Sequence, residues 1–343
     1  MRPTFSIICF TVLSGMGYGA WFLLGLGYAI GPRCEPHRFG AGGVSAMQCG
    51  EPFLTHAGFL LASALTCAGL LCSLGHLGKP QRAWRALSQW RSSWLSREGV
   101  LALLTFMPAA WLLAREIAMP FVAIRSSPEW MPIFEWSSNV SFHSRLSGFA
   151  LAVGSLATVY CTANIYASLN PGRAWHDRHV VPAYLLLSLY SGGILLLASG
   201  AIWVRGNWML LAGVIVLSIA GAWLKHRYWR AIDALPAPYA GHATGLSSFG
   251  EVRSFEAPHT EENYLTHEMG FVLARKHARK LRRIALVLAF LVPGVLALLA
   301  LVVPAIGVPA AWLALASGVP GLFVERWLFF AEAKHAVMAY YAR

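Results

Sequence analysis

The sequence has 343 residues, 57% of them hydrophobic and 12% charged, with a formal net charge of +12. A soluble domain carries about 25% charged residues, so lipid rather than water is the expected main solvent of the folded chain. The positive balance does not indicate nucleic acid, because the basic residues are spread along the chain instead of forming one soluble patch.

Apolar runs long enough to cross a bilayer as helices fall at about 5–29, 53–75, 99–118, 143–167, 181–202, 208–228, 284–303 and 308–330. They predict one transmembrane domain over 1–343: an all-α integral membrane protein, a bundle of eight transmembrane helices. Strands with open edges would leave backbone groups unpaired in hydrocarbon, and an outer-membrane barrel would need short alternating segments. No motif recurs between the halves, so nothing points to the repeats common in transporters. The first run is too long for a signal-peptide core of about 7–15 residues, and Gly15 and Gly19 form a small-xxx-small pair suited to close helix packing. It is expected to stay as a true span.

The loop after the first span holds Cys34 and Cys49, which on an oxidising side could pair or remain two free thiols. Cys9, Cys67, Cys72 and Cys161 lie in spans and read as small core residues. No C-x-x-C run is present, so an iron–sulfur cluster in an electron-transfer reaction would belong to a partner.

The second span ends in LGHLGKPQRAWRALSQWRSSWLSRE, residues 74–98. His76 closes the span, Gly78 and Pro80 break the helix and start another, and proline sits at the favoured first helical position. On an α-helical wheel Trp84, Leu87, Trp90 and Trp94 share one arc, while Arg82, Arg85, Gln89 and Ser92 face away. That predicts an interfacial amphipathic helix, with rings at the headgroup boundary and guanidinium groups toward water. Anionic lipid alone would account for such a basic face.

A histidine at this depth suits quinone chemistry. Imidazole has an unperturbed pKa of about 6.5, so it can hydrogen-bond a quinone oxygen and exchange a proton with it. Glu98, opening the third span, is an ionisable group at the same surface; such groups are costly there and are functional candidates by default. Its structural alternative is an acid in the first turn of a helix, favoured by the dipole.

A segment at 231–283 separates the sixth and seventh spans and ends in the basic amphipathic piece EMGFVLARKHARKLRR. It reads as a cytoplasmic loop insertion. The eighth span ends GLFVERWLFFAEAKHAV, where Glu325, Glu332 and His335 follow at helical spacing. Arg326 either snorkels to the headgroups or pairs with Glu98 or Glu325.

With the N-terminus inside, the outer segments hold Arg33, Arg38, Arg115, Arg125 and Arg205, and the inner segments nearly all the other basic residues, Lys225 among them. By the positive-inside rule both termini are cytoplasmic, as is the stretch after His76.

"LGHLGKPQRAWRAL" followed by "SWLSRE", together with the eight-span layout and "RWLFF", resembles the membrane-anchor subunits of the dimethyl-sulfoxide reductase family. "PHTEENYL", "EMGFVLARKHARKLRR" and "ERWLFFAEAKH" resemble, within it, the membrane subunits of cytoplasm-facing sulfite dehydrogenases (sulfite:quinone oxidoreductases). The resemblance implies a quinone-binding anchor in the bacterial inner membrane, reacting with ubiquinone or menaquinone, and a quinol-binding role for the histidine at the place of His76. It also implies no haem or metal in this chain. An iron–sulfur cluster subunit and a molybdopterin catalytic subunit would be its partners, held on the cytoplasmic side. On that reading His76 and Glu98 carry the proton chemistry, and Trp84, Arg82, Arg85, Glu325 and Arg326 complete a quinone pocket. Lys79, Arg82, Arg85 and Arg91 dock the cluster subunit. Alternatives are a dimethyl-sulfoxide reductase-type anchor oxidising menaquinol, a haem b cytochrome using His56 and His143 with His76, His226 and His335, and a transporter or scaffold.

Overall fold

The structure, a computed structural model, describes residues 3–30, 35–39, 43–48, 52–75, 77–125, 133–200, 208–236, 239–252, 255–256, 261 and 273–341. Helix α1 is Phe5–Ile30, and a short antiparallel hairpin follows, β1 Glu35–Phe39 and β2 Gly43–Gln48. Then come α2 Pro52–Leu74, a 3-10 segment Pro80–Gln89, α3 Trp94–Arg125, α4 Ile133–Ala167, α5 Val180–Ala198 and α6 Trp208–Asp233. A short α7, Ala240–Thr244, precedes α8 Leu273–Leu286, which runs through one π-helical turn, Val287–Leu291, into α9 Val292–Val302. Helix α10 is Gly307–Ala331.

Among the described residues, eight stretches are long and apolar enough to cross a membrane, as the apolar runs predict. The hairpin is an addition to the all-α expectation. Cys34 and Cys49 lie outside the described residues. The seventh span begins earlier than the apolar pattern shows. Its helix starts at Leu273, in the basic segment, because lysine and arginine are good helix formers that water can solvate on the exposed side.

Helices α1 and α5 form the centre. In an 18-residue apolar stretch of each, 72% of the residues are buried within the protein, against 28% for α2 and α3. Their contact explains the glycines. A Cβ on Gly19 would collide with the Ser188 carbonyl, and one on Gly192 with the backbone at Gly19 and Ala20. Backbones this close gain dispersion contacts, which drive helix association where no hydrophobic effect operates between lipid-soluble surfaces. Gly15 contributes differently, its carbonyl accepting the Ser188 hydroxyl at 2.7 Å. Around this axis α1 also packs on α2 and α4, while α5 joins α6 and α10. Outward faces such as Leu103, Met107 and Trp111 of α3 remain exposed, as lipid-facing residues do.

The π turn has an identifiable cause. Pro293 lacks the N–H that would bond the Ala289 carbonyl four residues back, and its ring crowds that turn. The chain inserts one residue, so that Val292 donates to Val287. The Tyr190 hydroxyl donates to the released Ala289 carbonyl, and the Ser218 hydroxyl donates to that of Phe290 at 2.6 Å. Tyr190→Phe is expected to leave the Ala289 carbonyl unpaired in a fully buried site, at a cost of about 1–3 kcal/mol. A lowered midpoint of thermal unfolding in detergent measures this, and Ser199→Ala, a partly exposed hydroxyl at the end of α5, serves as the control.

Candidate functional site

The chain passes up and down, so the start of α1, the end of α2, the starts of α3 and α5, and the ends of α6 and α10 share one end of the bundle. All the residues singled out after the second span, and those near residue 325, fall at this end. His76 itself lies outside the described residues. Its flanks are described: α2 stops at Leu74, and Pro80 opens the following segment.

That segment is a 3-10 helix over Pro80–Gln89, not the expected α-helix. With three residues per turn, Trp84, Leu87 and Trp90 still stand in one row. Leu87 turns inward against Gly99, where a Cβ would come within 2.9 Å of its methyl. The Ser96 hydroxyl donates to the Ala86 carbonyl. Arg97 donates from Nε to the Trp90 carbonyl at 3.1 Å and from a terminal nitrogen to that of Arg91 at 2.7 Å. Ser96, Arg97 and Gly99 therefore fasten the basic segment to the first turn of α3. The Ala86 carbonyl, drawn toward Ser96 of the next helix, is one acceptor taken out of a regular α-helical ladder. Lys79, Arg82, Arg85 and Arg91 are all exposed. Arg85, Arg91 and Arg97 lie over Trp84, Trp90 and Trp94 at 5.6, 5.5 and 4.4 Å, an arrangement that holds guanidinium groups at a lipid–water boundary.

Glu98 faces the other way. It is 6% exposed, and its carboxylate accepts a hydrogen bond from the Thr162 hydroxyl of α4. An acid serving only the helix dipole would stay in water; this one points into the bundle.

Arg326 does not snorkel. It is buried, its Nε 3.0 Å from Glu325 Oε2, and its guanidinium lies 4.1 Å over the Tyr184 ring. The pairing is with Glu325, one of the alternatives the sequence left open. The other oxygen of Glu325 is 2.5 Å from Nζ of Lys225, a fully buried lysine of α6. Reading the sequence counted Lys225 among the basic inner segments; the structure keeps it near that end of α6 and turns its side chain into the bundle. The available signal is its spacing: Gly221, Lys225, Tyr228 and Trp229 lie on one helical face, and all four are buried. Glu325 thus lies between two cations in a cluster with one net positive charge, walled by Tyr184, Tyr228 and Phe329.

A second cluster lies beside it. Arg282 of α8 donates to both carboxylate oxygens of Asp233, at 2.6 and 2.9 Å, and to Glu332 at 2.9 Å. Trp229 lies between the clusters, with Lys225 at 5.3 Å and Arg282 at 5.5 Å from its ring. Burial pushes the Glu332 carboxyl above its ordinary range, although Arg282 opposes the shift. The expected helical run from Glu325 to His335 stops early. Helix α10 ends at Ala331, and His335 accepts the Val337 N–H at 3.2 Å on Nδ1 while pairing with Gly172.

Between Glu98 and Arg326 lies a small cavity among α1, α4, α5 and α10, lined by both polar and apolar side chains. It offers about 30 Å³, far below the roughly 300 Å³ at which small-molecule sites begin. A quinone ring does not fit inside it, so a quinone near Glu98 would approach from the lipid side.

These features define a class: a multi-pass membrane protein with a basic, tryptophan-lined edge and buried ionisable groups at the same end. Comparison with known proteins gives the family. Residues 1–126 match the family described as DMSO reductase anchor subunit (DmsC). A sulfite dehydrogenase subunit of Allochromatium vinosum is 31% identical, over 99% of this chain and 99% of its own. The chain belongs to this family of membrane-anchor subunits, and its function is that of a membrane anchor within a multi-subunit complex.

Proposed function

We propose that this chain is the quinone-reacting membrane subunit of a cytoplasm-facing sulfite dehydrogenase in the bacterial inner membrane. A molybdopterin subunit would oxidise sulfite, and an iron–sulfur cluster subunit would carry the electrons to the basic edge formed by Lys79, Arg82, Arg85 and Arg91. The likeness to the Allochromatium vinosum sulfite dehydrogenase subunit supports the substrate. The observation that carries the quinone role is the inward-turned carboxylate of Glu98, next to an exposed, tryptophan-bearing edge where a lipophilic carrier would arrive.

Bound quinone supplies a two-electron, two-proton acceptor. His76, closing the second span, would hydrogen-bond one quinone oxygen and orient the ring. Glu98 would hold a proton away from bulk water until an oxygen gains charge. Trp84 offers a flat apolar wall, and Arg82 and Arg85 offer positive charge to lipid headgroups or to the cluster subunit. Arg326 and Glu325, buried behind Tyr184, would act on the pocket through their field rather than by touching the ring.

For the intact complex in membranes, His76→Ala is expected to remove sulfite-dependent reduction of a short-chain ubiquinone or menaquinone analogue, while sulfite oxidation with an artificial dye acceptor continues. Quinone reduction at the unmodified rate would overturn the site. Absence of any sulfite oxidation by the unmodified complex would overturn the substrate.

A further inference from the structure

The cavity behind Glu98 has the dimensions and the donor pattern of a water site. One buried water needs roughly 10–15 Å³ and two to four polar partners, so about 30 Å³ takes about two. Its lining serines and Thr11 have already placed their hydroxyl protons. Thr11 donates to the Ile7 and Ile8 carbonyls, Ser14 to that of Phe10, Ser188 to that of Gly15, and Ser191 to that of Ser188. Their lone pairs are left to face the cavity as acceptors. Tyr18 also lines it. Its residue is 2% exposed, and its hydroxyl is buried without a hydrogen-bond partner among the described residues. Arg326 lines it as well. A cavity that combines an unsatisfied phenol, a guanidinium and several free lone pairs has both the donors and the acceptors that a short water chain requires.

The groups at its two ends give that water a task. On one side Thr162, a lining residue, bonds the Glu98 carboxylate. On the other, Arg326 leads to Glu325 and Lys225, and the Trp229 ring packs between these and the Arg282–Glu332–Asp233 cluster. The Asp233 side chain is 61% exposed. Ionisable side chains thus step from solvent into the bundle and stop at the cavity.

We propose that this cavity holds about two water molecules and forms, with Tyr18 and Thr162, a proton-conducting link between Glu98 and the buried Lys225–Glu325–Arg326 cluster. The role in turnover rests on the quinone reading above. A quinone that takes two electrons from the iron–sulfur partner gains two O–H bonds. For one of these the O–H bond of Glu98 breaks, and the carboxylate recovers its proton through the cavity water. The proton is drawn from the side of the Lys225–Glu325–Arg326 cluster, beyond which the Asp233 side chain is exposed to water. Tyr18 and Thr162 are positioning residues here, ordering the water rather than touching quinone.

Two measurements on the intact complex in native membranes test this. X-ray hydroxyl-radical footprinting of the unmodified complex should label Tyr18 at least tenfold faster than Tyr190, an equally buried tyrosine whose hydroxyl is bonded to the Ala289 carbonyl. Equal, slow labelling of the two would show a dry cavity and overturn the proposal. Tyr18→Phe should lower sulfite-dependent reduction of a short-chain quinone analogue about tenfold and raise its solvent deuterium isotope effect, with dye-linked sulfite oxidation unchanged. Unchanged quinone turnover and isotope effect would overturn the proton link. Should the unmodified complex reduce no quinone at all, the quinone reading falls, and the footprint still decides whether the cavity is wet.

Discussion

Glu98→Gln is expected to slow quinone-linked turnover about 100-fold or more, at unchanged assembly of the complex and unchanged dye-linked activity. General acid–base groups contribute about 10²–10⁴-fold, and glutamine keeps the shape of the carboxyl but has no acidic proton to exchange. Its amide oxygen can still accept the Thr162 hydroxyl that the carboxylate accepts now. Its volume matches, so the packing of α3 on α4 is kept. A residue placed at 98 merely to cap the helix would behave otherwise: the glutamine variant would lose about 0.3–1 kcal/mol of dipole interaction and turn over normally. The split between quinone-linked and dye-linked rates in one preparation measures the difference. Glu98→Asp, which restores the acid on a shorter arm, should recover part of the rate.

The second large effect concerns stability and depends on the sign of the charge removed. The Lys225–Glu325–Arg326 cluster has two cations and one anion, all nearly without solvent exposure. Glu325→Gln leaves two buried cations facing each other with no anion between them. Breaking a buried pair from one side costs about 3–5 kcal/mol, and repulsion adds to it, so this variant should yield little folded protein. Lys225→Met removes one cation but leaves Glu325 and Arg326 as a neutral pair 3.0 Å apart. Methionine also fills nearly the same space against Tyr228 and Trp229, which the ammonium now faces at 4.1 and 5.3 Å. That variant should fold at near-normal yield. Size-exclusion profiles and thermal midpoints in detergent separate the two, and equal damage from both would show that the charge arithmetic is wrong.

The bundle itself was legible because the hydrocarbon slab imposes a length and a composition on every segment that crosses it. Runs such as 5–29 and 308–330 are apolar for longer than any soluble element requires. The basic edge was legible for a related reason: arginine and tryptophan alternate only where a surface is half lipid and half water. Its helix type was not. Whether Pro80–Gln89 winds as α or 3-10 depends on contacts from the next helix: Ser96 donates to the Ala86 carbonyl within the segment, and Arg97 ties down the Trp90 and Arg91 carbonyls just after it. The same holds for the seventh span. Pro293 announces a defect, but the π turn persists because Tyr190 and Ser218, distant in sequence, supply the missing donors.

Of the site, sequence reasoning reached Glu98, Glu325 and Arg326 as ionisable groups in an apolar setting, since a charge among leucines has to be justified wherever it stands. It passed over Lys225, because a lysine near a helix end looks the same whether it reaches out to headgroups or in to a carboxylate. It had no means of finding the cavity, whose wall comes from four helices at residues as far apart as Thr11 and Arg326. The sequence alone determined a chain that crosses the membrane eight times, with its basic edge after the second crossing, since burial of apolar length and solvation of charge are local properties. Only the tertiary structure decided which charges meet and where water can sit, because those depend on which helix faces come together.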